Sequence, residues 1–121
     1  MATKLKRPYI HVVTTNELPG YSIKEVKGVV WGTTVRSKFL GNEILALLKA
    51  MLGGEIKDYT LMMNEARRYV IERMVDNARA LGANAVIGMR TGTSTQTVPG
   101  ATEIFAYGTA VVAEPIKRGK Q

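Results

Sequence analysis

The chain has 121 residues and a mass of 13.2 kDa, enough for one domain around one core. Its composition, 45% hydrophobic and 22% charged, excludes a disordered chain, a collagen-like chain and a multi-domain enzyme. With no Cys and one His, disulfides, thiolate metal sites, a Cys nucleophile and a multi-His cage within one chain are also excluded.

The formal net charge of +7 suggests nucleic-acid binding, but its location argues otherwise. Lys4, Lys6 and Arg7 precede the first expected strand, and Lys117, Arg118 and Lys120 follow the last. The body between them is close to neutral. Basic tails bind polyanions non-specifically, so nucleic acid is not expected as a partner beyond such tail contacts. The division is a basic tail over 1–9, a domain over 10–114 and a basic tail over 115–121. No apolar segment has signal-peptide or membrane-span length, so a cytoplasmic protein without membrane contact is expected.

Ile10 to Thr15 is β-branched and predicts a strand. Leu18-Pro19-Gly20-Tyr21 is type II turn chemistry, with Pro at the second position and Gly at the third. It predicts a hairpin, with Tyr21 to Thr34 as the returning strand and a bulge near Gly28. Val35 to Leu52 has apolar residues at three- and four-residue steps and predicts a helix stopped by Gly53-Gly54. Asp58 is read as the N-cap of a second helix that ends at Leu81, with Gly82 beyond it. Tyr69, Arg73 and Asn77 fall on one stripe of this helix together with Met62 and Ala66. Ala85 to Thr93 predicts a strand. Thr97-Val98-Pro99-Gly100 is a second turn, leading into a last strand over Thr102 to Ala113. The order hairpin, helix, helix, hairpin predicts an α+β domain with helices on one face of an antiparallel sheet.

The last strand is apolar on both faces. Ile104, Ala106, Gly108 and Ala110 are small enough to admit a helix. Phe105, Tyr107 and Val111, joined by Trp31, load the other face, where a one-sided sheet should be polar. Assembly with another subunit through Trp31, Phe105, Tyr107 and Val111 is the expected resolution. The chain folding back over itself is the alternative.

Several segments together resemble the YbjQ-like family. They are Val12-Val13-Thr14-Thr15 before a Pro-Gly turn, Gly28-Val29-Val30-Trp31-Gly32, Gly53-Gly54-Glu55-Ile56-Lys57-Asp58-Tyr59-Thr60, Leu81-Gly82-Ala83-Asn84-Ala85-Val86 and Tyr107-Gly108-Thr109-Ala110-Val111-Val112. The resemblance spans roughly Ile10 to Glu114. It implies a dodecin-like subunit assembled as a ring-shaped homo-oligomer, typically a pentamer. It also brings the label "putative heavy-metal-binding domain" and names no cofactor.

The residues argue against that label. Soft metals want thiolate or imidazole, and His11 is the one conceivable nitrogen ligand. The six Met fall mostly at apolar helix positions and read as core. Glu72 and Asp76, four apart, sit among arginines and read as a solvated face. Gly88-Met89-Arg90-Thr91-Gly92-Thr93-Ser94 lacks the Lys and the following helix of a phosphate loop. Nothing marks a nucleophile, so catalysis is the least favoured class. The expected function is a homo-oligomeric binding protein holding a small ligand or metal ion between subunits. Thr14, Thr15, Arg36, Arg90 and Tyr107 are its candidate ligand contacts. The alternative is a scaffolding ring that meets acidic partners or nucleic acid through basic tails.

Overall fold

The computed structural model describes residues 8–37, 55–95 and 101–117. These form β1 (His11–Val12), β2 (Tyr21–Ser37), α1 (Glu55–Ala80), β3 (Ala85–Thr95) and β4 (Ala101–Pro115). The four strands make one sheet in the order β1-β3-β4-β2, with α1 packed on one face. The α+β class is therefore as expected, and the sheet is mixed rather than antiparallel. β1 lies parallel to β3, with His11 opposite Ala85, while β4 runs antiparallel to both β3 and β2.

The expected first hairpin does not form. The turn itself does: Tyr21 N–H donates to Leu18 O at 2.9 Å, and Gly20 has φ +85°. Its two arms nevertheless go to opposite edges of the sheet. β2 finds its partner in β4, from Tyr21 opposite Pro115 to Ser37 opposite Ala101. Two residues of β1 cannot compete with that length of ladder. The bulge expected near Gly28 is present as a register shift between Val26 and Gly28, with a second shift between Ile23 and Glu25.

β2 also overruns its expected end. Val35, Arg36 and Ser37 continue the strand, where a helix start was anticipated, because Val35 to Ser37 stay in register with Glu103 to Ala101. The rest of that anticipated helix lies outside the described residues, as do the second Pro-Gly turn and most of both basic tails. α1 begins at Glu55, so Asp58 is inside the helix rather than its N-cap. At 26 residues α1 is about 39 Å long. Among the described residues no helix is long and apolar enough to cross a membrane.

The end of α1 follows its sequence signal. Ala83 N–H donates to Ala78 O (3.1 Å) and Gly82 N–H to Arg79 O (2.9 Å), the paired bonds of a Schellman cap. Gly82 supplies the left-handed φ of +85° that this cap needs. Asn84 then locks the entry to β3. Its side-chain amide donates to Ala113 O and accepts from Ala113 N, both at 2.8 Å, standing in for a strand residue beside β4.

The main core lies between α1 and the sheet, around Val70, Met74, Val86 and Ile104, all essentially fully buried. The helix comes closest at β2, not at the small residues of β4. A Cβ on Gly32 would collide with the Val70 carbonyl oxygen and lie 2.9 Å from Met74 N. Gly108, in contrast, is crowded by Val86 and by the backbone of Ile87 and Met89 in β3.

A second cluster lies on the opposite face. Leu18, from the loop between β1 and β2, covers Ala85, Val111 and Ala113, with Val13, Tyr21 and Ile87 around it. Val111 is thus buried within the chain and offers no surface to a partner. The anticipated fold-back thus covers one end of the outer face, while Trp31 and Tyr107 at the other end are exposed. Residues 115 and 116 are held to the body as well, since Pro115 pairs with Tyr21 and Ile116 N–H donates to Gly20 O (2.9 Å).

Because the clash at Gly32 is with helix backbone, no side-chain rotation relieves it. Gly32→Ala is expected to destabilise the fold by about 1–3 kcal/mol through overpacking, read as a lowered denaturation midpoint. An unchanged midpoint would show that α1 stands further from β2 than this geometry has it.

Candidate functional site

The five residues anticipated as ligand contacts fall into two places. Thr14, Thr15, Arg90 and Tyr107 gather on or beside the face away from α1, whereas Arg36 points to the helix side.

The first group is organised by a bulge in β3. Register shifts between Ile87 and Arg90, and Gly88 adopts φ +63°. The bulge turns its donors toward the loop after β1. Gly88 N–H donates to Thr15 O (2.8 Å) and Met89 N–H to Val13 O (3.0 Å). Arg90 Nη1 donates to Thr14 O and Met89 O, both at 2.9 Å. The Arg90 head is therefore partly used in holding the loop. Thr15 Oγ1 is engaged too, donating to Glu17 O (2.7 Å). The Thr14 and Thr15 side chains are exposed. Of the two, the Thr14 hydroxyl forms no bond among the described residues.

Tyr107 connects this group to the open sheet face. It is the cross-strand partner of Arg90 in β3 and of Trp31 in β2, so the three form one row across the sheet. Trp31 is 59% exposed and Tyr107 44%. Phe105 stacks on Tyr107 (ring centroids 6.2 Å apart, planes at 18°) and its ring lies over Gly92. Val29 and Val35 are exposed on the same face of β2. Three of the four anticipated interface residues, Trp31, Phe105 and Tyr107, thus remain accessible or partly so, while Val111 does not.

Arg36 sits against α1. Its guanidinium carbon is 5.3 Å from the centroid of the Tyr69 ring, and that of Arg73 is 5.4 Å from the same centroid. The sequence stripe that contains Tyr69 and Arg73 is visible, but nothing local ties it to Arg36. Two polar residues at i and i+4 on that stripe were the available signal.

His11 lies edge-on to Tyr9 (4.9 Å between centroids, 87°) and tilted against Tyr21 (5.0 Å, 56°). Among the described residues no group of three or more His, Cys, Asp or Glu side chains could hold a metal ion. Glu72 and Asp76 line an open groove of about 300 Å³ with Ile71, Val75 and Arg79, and Arg79 is ion-paired to Asp76 at 2.8 Å. The donor set within one subunit does not fit a soft heavy metal: it has no thiolate, and its single imidazole is packed between phenol rings.

Residues 10–114 match the family described as "Putative heavy-metal-binding", YbjQ. A UPF0145 protein of Thermotoga petrophila is 53% identical over 105 residues, covering 87% of this chain and 98% of the relative. One from Pyrococcus horikoshii is 52% identical over 110 residues, covering 90% and 92%. Among solved structures, a protein with unknown function of the DUF74 family from Pediococcus pentosaceus superposes with a TM-score of 0.60. It is 20% identical, with 87% of this chain and 98% of that one covered, and shares the fold.

Titration with Zn²⁺ or Cu²⁺ is expected to show no stoichiometric binding tighter than about micromolar, since a tight site needs about three or four N or S ligands. His11→Ala is expected to change nothing. Nanomolar binding that vanishes in His11→Ala would show that symmetry pools His11 from several subunits.

Proposed function

Since the chain belongs to the YbjQ family, whose description is "Putative heavy-metal-binding", we propose that it works as a non-enzymatic homo-oligomer, a pentameric ring on the family resemblance, that holds a small ligand at its subunit contacts. One observation carries this reading. β2 is 17 residues long and lies at the edge of the sheet, with Val29, Trp31 and Val35 exposed along it. A long apolar edge strand templates pairing with another chain unless it is covered. Here the Asn77 side chain covers one edge carbonyl, donating to Trp31 O at 2.7 Å. The adjacent row of Trp31, Tyr107 and Arg90, with exposed Thr14 and Thr15 at its end, supports a ligand position bordering such a contact. The donor chemistry above supports a ligand other than a soft metal.

Sedimentation velocity is expected to show a homo-oligomer at micromolar concentration. Trp31→Lys is expected to shift it toward smaller species while circular dichroism stays that of the folded subunit, because Trp31 is mostly exposed within the subunit. A wild-type protein running as a 13.2 kDa monomer would overturn the assembly reading.

Charge placement supports a second reading, a scaffold that meets acidic partners through its tails. Five of the six tail cations lie in residues 1–7 and 118–121. Removing those residues, and keeping 115–117 because 115 and 116 are bonded to the body, is expected to abolish most heparin retention at low salt. Strong retention by the truncated protein would place the basic surface on the body instead.

A further inference from the structure

On the helix side of β2, three side chains collect hydrogen-bond donors and positive charge without a carboxylate partner among the described residues. Arg36 comes from the end of β2, and Tyr69 and Arg73 from successive turns of α1. Both guanidiniums lie within cation–π range of the one Tyr69 ring, at 5.3 and 5.4 Å. Two permanent cations therefore share a single neutral ring. The ion pairs formed among the described residues, Lys27–Glu25 and Arg79–Asp76, involve neither of them. On α1 the Glu65 and Glu72 carboxylates are exposed, and Asp76 is paired with Arg79.

The hydrogen bonding points the same way. Arg73 Nη1 donates to Tyr69 Oη at 2.8 Å, so the phenol's own proton is left to another acceptor. Among the described residues, Arg36 Nε is buried and has no hydrogen-bond partner. Buried polar groups are seldom left so, and arginine has no acceptor capacity of its own. Tyr69 is 40% exposed and Arg73 is exposed, so the cluster is open to solvent.

We infer that Arg36, Tyr69 and Arg73 bind a dianionic phosphate group, either free phosphate or a small phosphate monoester. Two fixed guanidinium charges match a dianion, and their planar forks match phosphate oxygens in paired hydrogen bonds. The Tyr69 hydroxyl adds a third donor. A single carboxylate would leave one cation uncompensated. Packing holds the pair in place: Gly32 lets α1 approach β2, and Arg73 Cβ comes to rest beside it. The site lies on the opposite face of the sheet from Trp31 and Tyr107, so it stands or falls independently of assembly through that face.

The test is calorimetric titration of the full chain with inorganic phosphate and, separately, with glycerol 3-phosphate, at matched ionic strength in a phosphate-free buffer. Wild type is expected to bind. Arg36→Gln and Arg73→Gln are each expected to weaken binding about tenfold or more, in line with the loss of a charge-assisted bidentate contact. Tyr69→Phe, which keeps the ring, is expected to weaken it less. Lys24→Gln removes an exposed charge elsewhere on β2 and is expected to leave binding unchanged. Tighter binding of glycerol 3-phosphate identifies a monoester ligand, and equal or weaker binding identifies free phosphate; either supports the site. Should Arg36→Gln fail to fold, Arg73→Gln, an exposed side chain, decides the matter. Three results would overturn the inference: no binding by wild type at millimolar phosphate, wild-type affinity in Arg73→Gln, or equal losses in Arg73→Gln and Lys24→Gln.

Discussion

The backbone-to-backbone approach of α1 to β2 at Gly32 governs this fold. With no side chain at that position, the Val70 carbonyl and Met74 amide come down onto the strand. Three consequences follow along one line of contact. Val70 and Met74 become the fully buried centre of the core. Asn77 is brought to the edge carbonyl of Trp31. Tyr69 and Arg73 are carried to Arg36 at the far end of the strand. A larger residue at position 32 would lift the helix and loosen all three together, because interiors packed this closely transmit displacement.

The other face of the sheet is shaped by a loop. Leu18 reaches over Ala85, Val111 and Ala113, and the β3 bulge returns backbone donors to Val13 and Thr15. Asn84 closes the same end by bonding both backbone groups of Ala113. Paired polar groups and a buried leucine make that end self-sufficient. The Trp31–Tyr107 end has no such cover among the described residues, and it coincides with the exposed edge of β2. Apolar surface and edge-strand backbone on one element are two separate reasons for a partner to bind there.

Ligand chemistry is decided by what the chain lacks as much as by what it holds. No thiolate exists, and the one imidazole is packed against two phenols, so the family's metal description finds little to act through within a subunit. Arginine is plentiful and is placed with purpose. Arg90 and Arg79 secure backbone and carboxylate partners, whereas Arg36 and Arg73 converge on a tyrosine and remain rich in donors. That contrast favours an anion over a soft cation at the helix side of β2.

Several features could be read without coordinates because their causes act within a few residues. Leu18 to Tyr21 formed its turn, Gly82 stopped its helix, Gly28 marked a bulge, and the alternation of β4 separated Ile104, Ala106 and Ala110 from Phe105 and Tyr107. The absence of Cys bounded the metal chemistry at once. Alternation tells which face a side chain takes and is silent about which strand lies beside it. For that reason the turn chemistry predicts β2 as the partner of β1 when its partner is β3, alternation places Val111 on the outward surface when Leu18 covers it, and apolar spacing predicts a helix where β2 continues through Ser37. Arg36 was singled out from the sequence, but its meeting with Tyr69 and Arg73 depends on residues more than thirty positions away. Only the packing of α1 across Gly32 brings them together, because side chains that far apart in the chain are joined by tertiary contact and not by local periodicity.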